Sequence, residues 1–305
     1  MHCSMLSVLP IKFSRFLRTT FVKRSLYSVP SDDPGAYSLG TSSSPDPDCN
    51  RGTVRLSKLL SSLGHCSRRE ADEFIAKGFV FVDGKVCCVL GTRVLPTQKI
   101  TLSEEARTKQ SYLQTILLNK PAGYVSHPDD LGRYPDAKRL VVPARRWSRP
   151  QETGVRFPFS SAGSFDFKAA LSPAGRLDFE STGLLVLTQD GRIAKQLIGE
   201  ESSVDKEYLV RIDKRIPDES IELLRHGLYL DNRPLKPCTV QWRSSHHSGP
   251  ELQFVLNEGR KRQIRRMCAL VGARVIGLTR IRIGRIEMGS LPVGQWRLLG
   301  PEECF

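Results

Sequence analysis

Three features of the sequence predict an α+β protein with two unequal folded units. The first is a capped helix pair followed by a hairpin over about residues 54–103. The second is a longer stretch, about 112–300, in which apolar strand-like runs alternate with short helical ones. The third is the segment ahead of both, too polar and too rich in Ser, Pro, Asp and Gly to fold. A chain of 305 residues has room for one small module and one domain of ordinary size.

Element by element, Met1 to Ser31 holds Lys12, Arg15, Arg18, Lys23 and Arg24 with six serines and no acid. That is the composition of an organellar transit peptide, mitochondrial or plastid. A basic tail that adds affinity for RNA has the same composition. Residues 32–52 read as a linker, so ordered structure should begin near Val54.

Leu56, Leu59, Leu60 and Leu63 recur at helical spacing, with Gly64 placed to end that helix. Ser67-Arg-Arg-Glu70 is a capping box opening a second helix, with Ala71, Phe74 and Ile75 on one face and Gly78 as its stop. Phe79-Val-Phe-Val-Asp83-Gly84-Lys-Val then reads as a hairpin turned on Asp-Gly. Arg55, Lys58, Arg68, Arg69 and Lys77 are expected on the exposed side of the helix pair, where they can face phosphate oxygens or be solvated surface.

In the larger unit, Ile116-Leu-Leu-Asn-Lys120-Pro121-Ala-Gly123 is an apolar strand running into a turn, a place to display Lys120 on the rim of a cleft. Ala174-Gly-Arg176-Leu-Asp178-Phe-Glu-Ser-Thr-Gly183 puts a charged loop ahead of the apolar run Leu184–Leu187. Asp205-Lys-Glu-Tyr208 begins a strand. Glu258-Gly-Arg260-Lys-Arg262-Gln-Ile-Arg265-Arg266 leads into a helix, whose geometry groups Arg262 with Arg265 and Arg266 and turns Lys261 away. Arg265 is expected to point into the cleft.

The formal net charge is +14, which favours a polyanionic partner without choosing RNA over DNA. Nine Lys or Arg and no acid lie between Gly259 and Ile286, so part of that segment is expected along phosphate. No stretch approaches the ~18 apolar residues of a membrane helix. The eight cysteines show no Cys-x-x-Cys pair and read as reduced thiols in an intracellular compartment. With His246-His247 in a polar loop and the other histidines isolated, no metal is expected.

The run Arg55-Leu-Ser-Lys58, Cys66-Ser-Arg-Arg-Glu70-Ala, Val82-Asp-Gly84-Lys and Gly91-Thr-Arg-Val94 resembles the S-four RNA-binding module, named after a small-subunit ribosomal protein. Gly-Arg-Leu-Asp178, Ser-Thr-Gly-Leu-Leu and Thr-x-Asp-Gly191 resemble the signature of pseudouridine synthases of the Rsu and Rlu types. The segments at Tyr208 and Arg265 follow in the family's order, as do Val275–Arg280 and Leu291–Trp296. The resemblance covers nearly all of Val54–Leu299.

It implies a mixed, largely antiparallel sheet with the motifs lining one cleft, and isomerisation of selected RNA uridines without a cofactor. That reaction breaks the bond from sugar to base nitrogen and joins the same sugar carbon to a ring carbon. It needs a carboxylate, kept ionised and dry, as nucleophile or base. By resemblance the carboxylate is Asp178, and Arg265 is its partner. Tyr208 stacks on the base and assists proton movement at ring carbon five, and Arg176 fills the gap left by the flipped base. Arg260 and Arg262 are carried over as RNA contacts.

The resemblance further implies ribosomal RNA as substrate, closest to the branch acting on the large subunit. Small-subunit RNA and transfer RNA remain open. No obligate protein partner is implied, and a monomer is expected. A chain of the same fold that serves as a non-catalytic ribosome-assembly factor is the alternative. Against it, a carboxylate in an RNA cleft repels phosphate and gains nothing for binding alone. A DNA-binding reading lacks a recognition-helix pattern. The family pattern is exceeded at about 129–172, which reads as an inserted surface loop. Its Arg145-Arg-Trp147 either adds an RNA contact or carries no role.

Overall fold

The computed structural model describes residues 52–128, 131–148, 171–243 and 249–305. The expected transit segment and most of its linker, the part of the expected insertion between residues 149 and 170, and His246-His247 lie outside the described residues.

The small module is built as its sequence dictates. Helices α1 (Leu56–Ser62) and α2 (Arg68–Ala76) bury Leu56, Leu59, Leu60, Ala71, Phe74 and Ile75 against each other. Both halves of the capping box form, with the Glu70 amide donating to Ser67 Oγ and the Ser67 amide to Glu70 Oε2. Leu63 departs from the expected face. It is the C-cap of α1 and 53% exposed, because Gly64 at φ +76° turns the chain away. Asp83 and Gly84 both take positive φ, as a two-residue hairpin turn requires, and join β1 (Val80–Val82) to β2 (Lys85–Cys87). A strand the spacing did not announce, β3 (Ile100–Leu102), pairs with β1 on its other edge.

Helix α3 (Glu104–Ser111), capped by Ser103, leads into the larger unit. Its main strands are β4 (Thr115–Lys120), β5 (Thr182–Thr188), β6 (Lys206–Ile212), β7 (Thr239–Arg243), β8 (Glu251–Leu256), β9 (Val275–Ile283) and β10 (Trp296–Leu298). The helices are α4 (Gly191–Ile198), α5 (Asp218–Arg225) and α6 (Gln263–Leu270). The strands form a nine-stranded sheet in the order β7–β8–β6–β9–β5–β4–β10, completed by Ser172–Pro173 on β5 and Ile286–Glu287 on β9. Every pairing is antiparallel except β9 with β5. This is the mixed, largely antiparallel sheet of an α+β protein.

Strand β4 is buried along its whole length and β5 over all but its first residue, because apolar clusters cover both faces. At ~2 kcal/mol for each fully buried Leu or Ile, this stem is held by apolar packing on both sides. Gly183 makes the parallel junction possible. A Cβ there would sit 2.2 Å from the Arg280 carbonyl oxygen, and its φ of +102° already suits glycine.

The described part of the expected insertion is not a surface loop. Ala137, Leu140 and Val141 are buried in the cluster that holds Trp296, and Trp296 Nε1 donates to the Val142 carbonyl at 2.9 Å. Trp147, expected as a possible stacking partner for RNA, is half-buried against the core beside β4 and β5. The Pro and Ser content suggested a loop, while two short 3-10 turns, Ala137–Leu140 and Pro143–Arg145, tuck its few apolar residues inward.

The two modules meet at the start of α4. A Cβ on Gly191 would fall 2.1 Å from Ser67 Cβ, and Lys195 Nζ donates to the Ser61 carbonyl at 2.8 Å. Cys66 is buried beside this seam, where desolvation and then the Glu70 charge push its thiol up to about 12.

Candidate active site

The loop from Ala174 to Ser181 is anchored at several backbone points. Ser126 Oγ accepts from the Leu177 amide at 2.9 Å and donates to the Leu177 carbonyl at 2.8 Å. The Gly123 amide donates to the Phe179 carbonyl, and the Ser181 amide to the Asp178 carbonyl. Asp178 is thereby fixed on the wall of a cleft of about 650 Å³, which Arg176, Tyr208, Arg262, Lys206 and Lys236 also line. Its side chain is 32% exposed. The protein alone therefore does not keep it dry, and a base lying over it would have to complete the exclusion of water.

Arg265 reaches Asp178 from the first turn of α6, with Nε 3.9 Å from Oδ2. That is an ion pair without a hydrogen bond. The same guanidinium donates to Ser181 Oγ (3.3 Å) and the Val275 carbonyl (3.4 Å) and lies 3.6 Å from Glu180 Oε2. Its Nε is buried with no hydrogen-bond partner among the described residues. A charged donor left unmatched beside the carboxylate is a placed but unspent interaction.

Arg262 precedes α6 at φ +53°, a left-handed position that costs an L-residue ~1 kcal/mol or more. The turn carries its guanidinium to within 3.4 Å of Glu180 Oε2. Glu180 thus holds both arginines. Nothing in the spacing of the sequence announced it, since its partners lie more than 80 residues away.

Tyr208 sits in β6 opposite Phe254 and Arg280, partly buried against two apolar clusters. Arg176 is exposed at the cleft mouth, its carbonyl accepting from Arg280 Nη1 at 3.4 Å. Arg280 itself is buried, with Nε donating to the Leu184 carbonyl and Nη2 unpartnered among the described residues.

Two expected RNA contacts are engaged by the protein itself, Lys120 away from the cleft and Arg260 on its wall. Lys120 is not on the rim. It is fully buried at the end of β4 with Nζ donating to the Pro121 carbonyl, because both faces of that strand are covered. Burial is the main force that lowers its ammonium to about 8, offset in part by the Asp178 charge. Arg260 is spent on structure. It donates to the Leu230, Arg233 and Pro234 carbonyls and pairs with Glu258 at 3.4 Å, clamping a two-residue turn whose residues 231 and 232 both have positive φ.

The basic run is likewise largely matched. Arg266 makes a bidentate pair with Asp231, and Arg282 pairs with Glu207. Lys261 and Arg285 remain exposed. In the small module Arg55, Lys58 and Arg68 surround a hollow of about 360 Å³ together with Arg93 and one acid, Asp72. Arg69 is exposed outside it, and Lys77 is exposed 3.9 Å from Glu73. Among the described residues no group of His, Cys, Asp and Glu is arranged to hold a metal ion, and no helix is long and apolar enough to cross a membrane.

Comparison with known proteins bears on this cleft. The RNA pseudouridylate synthase family pattern matches residues 114–270, and the S4 domain pattern matches residues 54–100. The dual-specificity RNA pseudouridine synthase RluF of Escherichia coli (strain K12) is 33% identical over 256 residues, spanning 83% of this chain and 78% of its own. An RNA pseudouridine synthase of Aquifex aeolicus is 30% identical over 250 residues, spanning 82% of this chain and 92% of its own. A solved pseudouridylate synthase superposes with a TM-score of 0.51 at 24% identity, over 81% of this chain and 96% of that one, and shares the fold.

Proposed function

Because this chain belongs to the RNA pseudouridylate synthase family and isomerises uridine to pseudouridine in RNA, we propose that it does so at Asp178, on large-subunit ribosomal RNA of an organelle. One observation carries the assignment of the site. Asp178 lies in a cleft that Tyr208 and exposed cations also line, with Arg265 as its ion-pair partner.

In this reading Asp178 acts as nucleophile or base at the sugar–base junction. The bond from the sugar carbon to ring nitrogen breaks, the uracil turns, and the same sugar carbon bonds to ring carbon five, which then loses its proton. Arg265 Nε supplies the charge-assisted hydrogen bond as Asp178 moves about 1 Å toward it. Tyr208 stacks on the turning base, and its hydroxyl assists the proton leaving carbon five. Arg176, exposed and next but one to Asp178, enters the helix where the uridine has left. Arg262 and the hollow at Arg55, Lys58 and Arg68 meet the phosphates, so affinity falls with salt.

The organellar assignment rests on the basic, acid-free residues 1–31. The large subunit is favoured by the resemblance of the Asp205–Lys214 and Cys238 segments. Transfer RNA, which the sequence leaves open, is a second substrate class to test. The enzyme is taken to act as a monomer.

The test is to map pseudouridines in organellar ribosomal and transfer RNA from cells lacking the protein, then re-express the intact chain or Asp178→Asn. A site that vanishes and returns only with the intact chain identifies the enzyme and its target. Restoration by the Asn variant would remove Asp178 from the chemistry. A modified site only in cytosolic RNA would remove the organellar reading.

A further inference from the structure

Beside the cleft, Tyr134 and Phe179 form a tilted aromatic pair, with ring centroids 4.7 Å apart and planes at 53°. Both backbones are held. The Phe179 carbonyl accepts from the Gly123 amide, and the strand-like bridge between Val125 and Asp136, with the Val125 amide donating to the Pro135 carbonyl, fixes the residues just after Tyr134. Yet the rings stay 45% and 39% exposed, while the turn just after Tyr134 sends Ala137, Leu140 and Val141 into the core. A segment that buries its smaller apolar residues and leaves its largest ring in water is presenting that ring.

What the pair presents to follows from its surroundings. Phe179 is the residue after Asp178, so the shelf and the carboxylate belong to one anchored loop. The Arg133 guanidinium lies 5.9 Å from the Tyr134 ring centroid, and Arg176 is exposed on the same loop. A flat π-face next to cations fits a nucleotide, whose base stacks and whose phosphate is anionic. Taking a uridine out of a stack also leaves its neighbour without a partner.

We propose that Tyr134 and Phe179 are a stacking shelf for an unpaired base adjoining the uridine held at Asp178. The shelf rests on the reading of the cleft as the catalytic site. It contributes to binding the RNA and not to the bond-making step.

The experiment uses the full chain and total RNA from cells lacking the protein, grown with uridine tritiated at carbon five, so that turnover releases tritium. Tyr134→Leu and Phe179→Leu keep apolar bulk but lose the ring. Each is expected to raise KM about tenfold with kcat little changed, while Tyr134→Phe and Phe179→Tyr keep the wild-type KM. An unchanged KM in both Leu variants, or a lost kcat at constant KM, would overturn the shelf and leave a pair that merely packs the loop. A second readout is independent of turnover. A nine-nucleotide unstructured RNA carrying 2-aminopurine should be quenched on binding to the wild type and not to the Leu variants, and equal quenching would sink the proposal. Tritium release by Asp178→Asn would instead show that the cleft reading has failed, whatever the quenching shows.

Discussion

Lys120 shows how a single side chain acquires a pH signature from its place in a sheet. Its ammonium titrates at about 8 in the folded protein against ~10.4 in an unfolded chain. Below pH 8 both states are protonated, and folding bears the full cost of desolvating the charge. Between about 8 and 10.4 the folded state releases the proton while the unfolded state keeps it, so stability rises with pH across that window. Urea denaturation should show the midpoint climbing from about pH 7.5 to 9, below the range where the buried Cys66, Cys238 and Cys268 thiols oppose it. The climb should be smaller in Lys120→Met, where Lys206, its ammonium also lowered by burial, remains. Glu180 makes the second residue-scale prediction. Its exposed carboxylate offsets the charge of Arg262 and Arg265 at the cleft, so Glu180→Gln should tighten RNA binding about two- to fivefold at low salt, an effect that fades as salt rises. Filter binding over a salt series measures it. Asp178, Tyr208 and Arg265 were legible because motif and order marked them. Lys120 and Glu180 were not, since the first depends on what covers both faces of a strand and the second on partners distant in the chain.

Elements differ in how far local rules carry. The capping box at Ser67 and the Asp83-Gly84 turn are decided within four residues, and both form as their sequence requires. The third strand of the small module and the parallel pairing of β9 with β5 are decided by contacts across tens of residues, and periodicity could not show them. At that second junction a side chain on Gly183 would drive into the Arg280 backbone. Gly183→Ala should therefore cost at least ~2 kcal/mol and lower the thermal midpoint by several degrees. Moreover, because β5 follows the Asp178 loop directly, activity should fall further than the folded fraction does. Calorimetry and tritium release on one sample would separate the two effects, and an unchanged thermal midpoint would mean that the strands part without penalty.

Over the whole molecule, the charge of +14 says less than its distribution. Much of the densest basic run is committed to Asp231, Glu207, Glu180 and backbone carbonyls, so a count of cations overstates the surface left for phosphate. The seam between the modules carries the corresponding prediction. Gly191→Val has no room against Ser67 and should loosen the small module, lowering affinity for long RNA at least ~10-fold through lost avidity with little change in kcat. Equal affinity for both proteins in a gel-shift titration would show that the seam does not join the two grips.

That seam gives the enzyme a fixed span. The proposed grips are the hollow at Arg55, Lys58 and Arg68 and the cleft at Asp178, and the contacts of Gly191 and Lys195 join the modules that carry them. If both sites hold RNA as proposed, the molecule would act as a caliper, selecting a uridine by how far it stands from a second feature of the folded RNA. Lengthening the intervening helix by a few base pairs would then carry the right nucleotide out of reach with its sequence untouched.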